Sequence, residues 1–211
     1  MTRARPLFAA LALLALAACS TDAQKDLGTK VPPPATDPAL AVPNGPPAVP
    51  NPTVGGVTMT ATRTIVDNAS AAPNLSTLVT ALKAAGLTAT LSGTGPFTVF
   101  APSNDAFGRL APGMVDALLK PENKGSLAKL LTYHVVAGAI TADDLRRRIT
   151  AGGGTATLTT MEGDPITVTL VGTVIALTDV DGNKSYIETA DVRQSNGVVH
   201  VVNGVIVPRL T

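Results

Sequence analysis

The stretch FTVFAPSNDAFGRL, residues 97–110, contains the change from strand to helix around which this chain is organised. FTVFAP is typical of a short apolar strand, and Pro102 ends it because proline cannot donate to a strand ladder. Ser103 follows where a helix would begin, with a hydroxyl that can accept from backbone N–H groups two or three residues on. Asp105 falls in the first helical turn, where the helix dipole favours a carboxylate. The stretch predicts a strand followed directly by a capped helix.

A catalytic role for Ser103, Asn104 and Asp105 is the alternative interpretation of the same residues. Ser103 would need a general base, but no histidine is near it in sequence and no G-x-S-x-G elbow surrounds it. The chain has two histidines, His134 and His200, and both lie in apolar patterns. We therefore expect a structural cluster and no enzyme.

The composition of the chain limits the classes of protein to which it can belong. A chain of 211 residues, 45% of them hydrophobic, can form one domain with a real core plus appendages. The net charge of +1, with 15% charged residues, provides no field that would attract nucleic acid. There is no tryptophan and there are two tyrosines, so bases would find no stacking platform. We expect no nucleic-acid partner, no cofactor and no metal.

The N-terminus predicts export. Two arginines precede the apolar run LFAALALLALAA, residues 7–18, which is too short to span a bilayer but has the length of a signal peptide's apolar region. It ends in LAAC, which resembles the bacterial lipobox and would make lipidated Cys19 the mature N-terminus. Ordinary secretion after an A-x-A-like cleavage site is the alternative. Several acyl chains on Cys19 would anchor the protein stably to a membrane.

The residues after Cys19 predict a tether. This is the only cysteine, so disulfides, thiol catalysis and cysteine metal sites are excluded downstream. Ser20 follows it, and the absence of aspartate there favours the outer membrane, facing the periplasm or the cell surface, if the host is Gram-negative. Residues 19–60 are rich in proline and lack apolar periodicity, as in a disordered spacer or, alternatively, a partner's peptide ligand. We predict a signal peptide over 1–18, a tether over 19–60 and a domain over 61–211.

Helical patterns fill the first half of that domain. Leu75, Leu78, Val79 and Leu82 share one face of a helix that Asn74 would cap and Gly86 would end. Further helices are predicted over PGMVDALLK from Pro112, over KGSLAKLLTYH, where His134 joins the leucine stripe, and over TADDLRRRI, where Thr141 and Asp144 fit a capping box. Arg146, Arg147 and Arg148 indicate a solvated helix end, with a phosphate-binding or nucleic-acid-binding patch as the alternative.

Strand patterns fill the second half. After Gly152–Gly154 the apolar period drops to two, with turns at EGDP and DGN. DVDGN, from Asp179, departs from a calcium loop because its glycine is fourth and its twelfth residue is Ala190, so a hairpin turn is favoured. Asn203-Gly204 predicts a hairpin within VVHVVNGVIVP. Helices before strands indicate an α+β domain.

FTVFAPSNDAF, LLTYHVVAGAITADDL and SNGVVHVVNGVIVP resemble, in order and spacing, the three hallmarks of the fasciclin domain family, over about residues 62–210. The resemblance implies a single domain in which a helical layer packs on a wedge of mainly antiparallel strands. It also implies a secreted or membrane-anchored protein with a role in adhesion and matrix contacts. The candidate binding residues that it marks are Asn104 and Asp105, then Tyr133 and His134.

The tyrosine-histidine pair is implicated in integrin binding in some animal relatives, a role that a bacterial lipobox gives no reason to transfer. An inward, hydrogen-bonded His134 is favoured over one that contacts a ligand. Three functions stay open. They are an envelope adhesion module that binds polysaccharide, matrix or protein; a carrier or sensor of a small apolar ligand; and an envelope enzyme, which is least favoured.

Overall fold

The computed structural model of the chain describes residues 50–209. The predicted signal peptide, Cys19 and the predicted tether up to residue 49 lie outside the described residues. Within residues 50–209, no helix has the length and apolar character needed to cross a membrane.

The helices lie mostly in the first two thirds of the described chain, as their pattern predicts. They are α1 (Ile65–Ala71), α2 (Ser76–Ala85), α3 (Thr88–Leu91), α4 (Asn104–Gly108), α5 (Met114–Leu118), α6 (Lys124–Tyr133) and α7 (Ala142–Ala151), with short 3-10 helices at Pro73–Leu75 and Pro121–Asn123. The strands are β1 (Thr53–Val54), β2 (Val57–Thr58), β3 (Phe97–Pro102), β4 (Val135–Ala137), β5 (Thr155–Thr159), β6 (Pro165–Val171), β7 (Val174–Thr178), β8 (Lys184–Gln194) and β9 (Gly197–Val202).

Seven of the strands form one sheet in the order β4-β3-β9-β8-β7-β6-β5. Strands β3 and β9 run parallel, and every other neighbouring pair in this sheet is antiparallel. The two edge strands, β4 and β5, approach each other where the N–H of Met161, just after β5, donates to the Val135 carbonyl of β4 at 2.7 Å. The predicted α+β fold, a helical layer on a mainly antiparallel wedge, is confirmed.

Strand β9 lies at the centre of the core, since all six of its residues are buried. Val199 and Val201 belong to a cluster with residues of α1, α2 and α6, whereas Val202 belongs to a second cluster with residues of α7 and β5–β7. A strand covered on both faces has a continuous apolar sequence because neither face meets water. This explains why the hallmark VVHVV does not alternate with polar residues, apart from His200.

Three helix ends follow the sequence predictions. The Ser103 hydroxyl accepts from the Ala106 N–H at 3.3 Å and caps α4. Thr141 and Asp144 form a reciprocal capping box at the start of α7. Gly86 ends α2 in the left-handed conformation, with φ of 76°, which glycine adopts without strain.

Two other helix starts differ from the predictions. Asn74 does not cap α2, because a 3-10 turn places Leu75 at that position instead. Pro112 lies ahead of α5, whose N-cap is Gly113, with φ of 79°. Both differences concern the first turn, where a short irregular segment can precede a helix without changing its buried face.

The predicted hairpin at Asn203-Gly204 is wrong. The chain after β9 forms no strand up to residue 209, and Gly204 has no positive φ. Instead, the Asn203 side chain accepts from the Tyr186 N–H at 2.9 Å and the Ser185 hydroxyl donates to the Gly204 carbonyl at 2.7 Å. Long-range bonds to β8 therefore replace the local turn that the dipeptide favours.

The predicted tether boundary at residue 60 falls inside the folded part of the chain. Strands β1 and β2 pair with each other, and Val54 and Met59 are buried in the helical cluster. Asn51 makes two bonds to Arg193 of β8, accepting from its N–H at 2.9 Å and donating to its carbonyl at 2.7 Å. Short apolar contacts within a proline-rich segment give no periodic signal, so the sequence pattern did not reveal them.

Candidate functional site

The hallmark pair at the end of α6 points into the core. Tyr133 is fully buried and its hydroxyl donates to the Pro165 carbonyl at 2.8 Å. Burial, assisted by the negative charge of Asp179, raises the pKa of the Tyr133 phenol to about 12. The residue therefore stays neutral and joins α6 to the start of β6.

His134 is buried as well, and both of its ring nitrogens are used. Its Nδ1 lies 2.8 Å from the Leu130 carbonyl, and its Nε2 accepts from the Ile206 N–H at 3.2 Å. Because Nε2 is the acceptor, the proton of the neutral ring belongs on Nδ1. Burial lowers the pKa of His134 to about 4, against the opposing effect of the bond to Leu130. The ring ties α6 to the C-terminal segment.

His200, on β9, is likewise buried and uses both of its ring nitrogens. Its Nδ1 accepts from the Asp191 N–H at 3.2 Å, its Nε2 lies 2.9 Å from the Ile140 carbonyl, and its ring stacks on Phe100 with a centroid distance of 5.7 Å. Burial lowers the pKa of His200 too. Both histidines are inward and hydrogen-bonded, the arrangement predicted for His134, so neither presents a free nitrogen to a substrate.

Asn104 and Asp105, the other hallmark pair, lie at the start of α4. The Asn104 side chain accepts from the Thr77 N–H at 3.0 Å and donates to the Pro73 carbonyl at 2.9 Å and to Ser76 Oγ at 3.0 Å. Asn104 therefore caps α2 from another element. Asp105 is exposed in the first turn of α4.

The four hallmark residues do not form one surface. Tyr133 and His134 are buried at the end of α6, while Asn104 is bonded to the start of α2, and only Asp105 is exposed. The contacts of Tyr133, His134 and Asn104 within the fold account for a structural role of these three residues, and no ligand is needed to explain them. Their role in binding stays a prediction.

Asp179, the first residue of DVDGN, organises a turn. Its carboxylate accepts from the N–H groups of Asp181 at 3.0 Å and Asn183 at 2.9 Å, and also from the Val207 N–H at 3.1 Å. This carboxylate is thereby occupied by backbone donors. Between residues 50 and 209, no group of three or more His, Asp or Glu side chains is placed to hold a metal ion.

The gap between the helices and the sheet offers little space for a ligand. Between the helices and the sheet, next to Leu78, Leu131 and Val199, lies a gap of about 20 Å³. Drug-sized ligands occupy pockets of about 300–1,000 Å³, so a gap of this size suits about one water molecule. This observation argues against a carrier that holds an apolar ligand between the two layers.

An open cleft of about 690 Å³ lies at the N-terminal end of the parallel strands β3 and β9. It is formed by the loop 92–96, by residues 193–198 and by the caps of α1 and α7. The lining comprises five hydroxyl residues, two amides, one arginine and six glycine or aliphatic residues: Thr64, Ser92, Thr94, Thr141, Ser195; Gln194, Asn196; Arg193; and Gly93, Gly95, Pro96, Ala139, Gly197, Val198. We call this set the polar cleft.

Hydrogen bonds and close backbone contacts hold the floor of the polar cleft in place. Asn196 is buried, donates to the carbonyls of Leu91 at 2.8 Å and Gly93 at 3.0 Å, and accepts from the Ile65 N–H at 3.0 Å. The two walls also touch through their backbones, because a Cβ at Gly95 would lie 2.0 Å from the Asn196 carbonyl oxygen. A preformed site of this kind loses little freedom when a partner binds.

Sequence patterns did not reveal the polar cleft as a site. Its two main walls are about a hundred positions apart, and each consists of common loop residues. The nearest sequence signal is SNGVV, which the hallmark already contains, but a hallmark does not say which of its residues face solvent. Arg193 was therefore not among the predicted site residues.

Comparison with known proteins places these features in a family. Residues 73–208 match the family model described as fasciclin domain. The chain is 46% identical over 145 residues to protein sll1483 of Synechocystis sp., covering 69% of this chain and 73% of that protein. It is 32% identical over 221 aligned positions to the cell surface glycolipoprotein MPB83 of Mycobacterium bovis, covering 95% and 92% of the two chains.

A solved structure shows the same fold. It is a FAS1 domain pair from the insect cell adhesion molecule fasciclin I, with a TM-score of 0.60 and 20% sequence identity. The match covers 71% of this chain and 51% of that chain.

Proposed function

This chain belongs to the fasciclin domain family, and from that membership we propose that it is an adhesion module of the bacterial cell envelope. Fasciclin domains occur in cell adhesion proteins and in surface glycolipoproteins. The observation that carries the proposal for this chain is the polar cleft, an open and preformed concavity of about 690 Å³. Its partner is an envelope polysaccharide, a matrix component or a protein.

We propose further that a lipid on Cys19 anchors the protein and that the following segment acts as a tether. In a Gram-negative host the anchor lies in the outer membrane, and the module faces the periplasm or the cell surface. The MPB83 relative, named as a cell surface glycolipoprotein, aligns over 95% of this chain, which supports a lipid anchor. A tether raises the local concentration of the module near its partner when its length spans the gap. A weak contact between this one domain and its partner is then enough to hold the two together.

The experiment that tests adhesion is a binding assay of the full chain against the host's envelope fractions and secreted polysaccharide at physiological salt. We expect saturable binding to one fraction. Absence of binding to every fraction would contradict the proposed function.

Replacing Cys19 with alanine tests the anchor. Without the thiol no lipid can be attached, so we expect Cys19→Ala to move the protein from the membrane fraction to the soluble fraction. Ser20→Ala, which keeps the cysteine, is the matched control and should stay with the membrane. Retention of Cys19→Ala in the membrane after a salt wash would contradict lipidation.

A further inference from the structure

We propose that the polar cleft binds an acidic saccharide, with the guanidinium of Arg193 on a carboxylate of the sugar. This inference rests on the proposed adhesion function and gives its partner a chemical class. The ligand would be a uronate-type residue within a longer polysaccharide chain.

The charge of the polar cleft indicates an anion. Arg193 is the one ionisable residue among the 14 that line it. It is exposed, and its guanidinium takes part in none of the ion pairs found between residues 50 and 209. Its backbone is held by both bonds to Asn51, so the side chain projects from a fixed point. Arginine binds a carboxylate through two parallel N–H donors, which gives orientation as well as affinity.

The hydroxyl groups of the polar cleft indicate a sugar. The side chains of Ser92, Thr94 and Ser195 are exposed, and none makes a hydrogen bond within the part of the chain that the structure describes. Together with Arg193 they leave four free polar groups around one concavity. A saccharide presents hydroxyls that can both donate and accept, so it can satisfy such a set.

The size and shape of the polar cleft agree with that ligand. Its volume of about 690 Å³ lies within the range of small-molecule sites, about 300–1,000 Å³. No aromatic residue lines it, so no ring can stack on a sugar face, and the hydroxyl groups and Arg193 supply the specific contacts. The glycine-rich walls provide no deep apolar pocket for the side chain of a peptide. We therefore favour an acidic saccharide over a peptide, and weak single-site binding that repeats along a polymer.

The test is calorimetric titration of the full chain with two probes, a short oligogalacturonate and the methyl ester of the same oligosaccharide. The ester keeps the hydroxyls and removes the negative charge. We expect the acid to bind about tenfold more tightly than the ester, which is the scale of one charge-assisted hydrogen bond. Arg193→Gln should remove this preference by weakening the acid about tenfold and leaving the ester unchanged.

Arg148→Gln is the matched control, because Arg148 is also an exposed arginine but lies in the last turn of α7, outside the polar cleft. It should leave both affinities unchanged. Equal binding of the acid and the ester, a loss of acid binding in Arg148→Gln as large as in Arg193→Gln, or absence of binding by both probes would each overturn the proposal. Saturable binding to envelope fractions that persists in Arg193→Gln would overturn this inference alone and leave the adhesion function standing.

Discussion

His134 and His200 are the residues whose chemistry differs most from what their type first suggests. Histidine commonly acts as a base, a metal ligand or a pH switch near neutrality. Here each ring is buried and uses both nitrogens on backbone groups, so the neutral form is part of the packing. Such a residue contributes to stability, and its protonation is opposed by the fold.

The lowered pKa of His134 makes stability depend on pH. The pKa is about 4 in the folded protein and about 6.5 in an unfolded chain, so between these values the unfolded state binds more protons. The contribution of His134 to the free energy of unfolding is therefore fully present above about pH 6.5. It is lost progressively as the pH falls towards 4. His200 acts in the same direction. Urea titrations at several pH values should show this decline, and a flat profile would contradict it.

Replacing His134 with alanine should lower stability at neutral pH by roughly 2–4 kcal/mol, since it leaves a cavity and two buried backbone groups without a partner. The decline between pH 6.5 and 4 should become shallower, because one titrating group is gone. Denaturant unfolding measures both effects. Unchanged stability with lost envelope binding would instead make His134 a contact residue.

At the scale of elements, the hallmark SND connects two helices. Ser103 caps its own helix, α4, while Asn104 caps α2, which begins 28 residues earlier in the chain. A cap supplied by a distant residue ties the position of one helix to another, because the orphan N–H groups of α2 find their acceptor only when α4 is in place. This accounts for Asn104 without any ligand.

Asn104→Ala should destabilise the protein by about 1–2 kcal/mol, the usual cost of a lost helix cap. Asp105→Ala is the control from the neighbouring position. It removes an exposed side chain and should change stability by less than about 0.5 kcal/mol. Chemical denaturation of both variants measures the difference, and equal stabilities would argue that the cap is unimportant.

At the scale of the whole molecule, the folded part begins earlier than residue 60. The segment from Asn51 to Met59 buries two apolar side chains and joins β8 through Asn51. It also holds the backbone of Arg193 at the polar cleft. The segment from Asn51 to Met59 is therefore attached to the wall of the candidate site through Asn51.

Fragments that start at different residues test this attachment. A fragment of residues 61–211 lacks Val54 and Met59, each worth about 1.5–3 kcal/mol when fully buried, and should be several kcal/mol less stable than residues 50–211. Thermal unfolding of the two fragments measures the difference. Equal melting temperatures would show that the segment adds nothing to the fold.

The sequence by itself determined the fold class, the succession of a mainly helical half and a half of strands, and three helix ends, because these depend on local periodicity and on capping residues close in sequence. Ser103, the box of Thr141 and Asp144, and Gly86 were predicted from such patterns. The inward position of His134 followed from its place in a leucine stripe. Family membership followed from three hallmark stretches.

Only the tertiary structure decided the contacts between residues distant in sequence. The bonds of Asn203 to β8 overrode a strong local turn signal, and Asn104 replaced Asn74 as the cap of α2. The polar cleft likewise depends on two loops about a hundred positions apart, which meet because β3 and β9 pair in parallel. Local patterns reveal which face of an element is apolar, whereas which elements meet depends on how the whole chain packs.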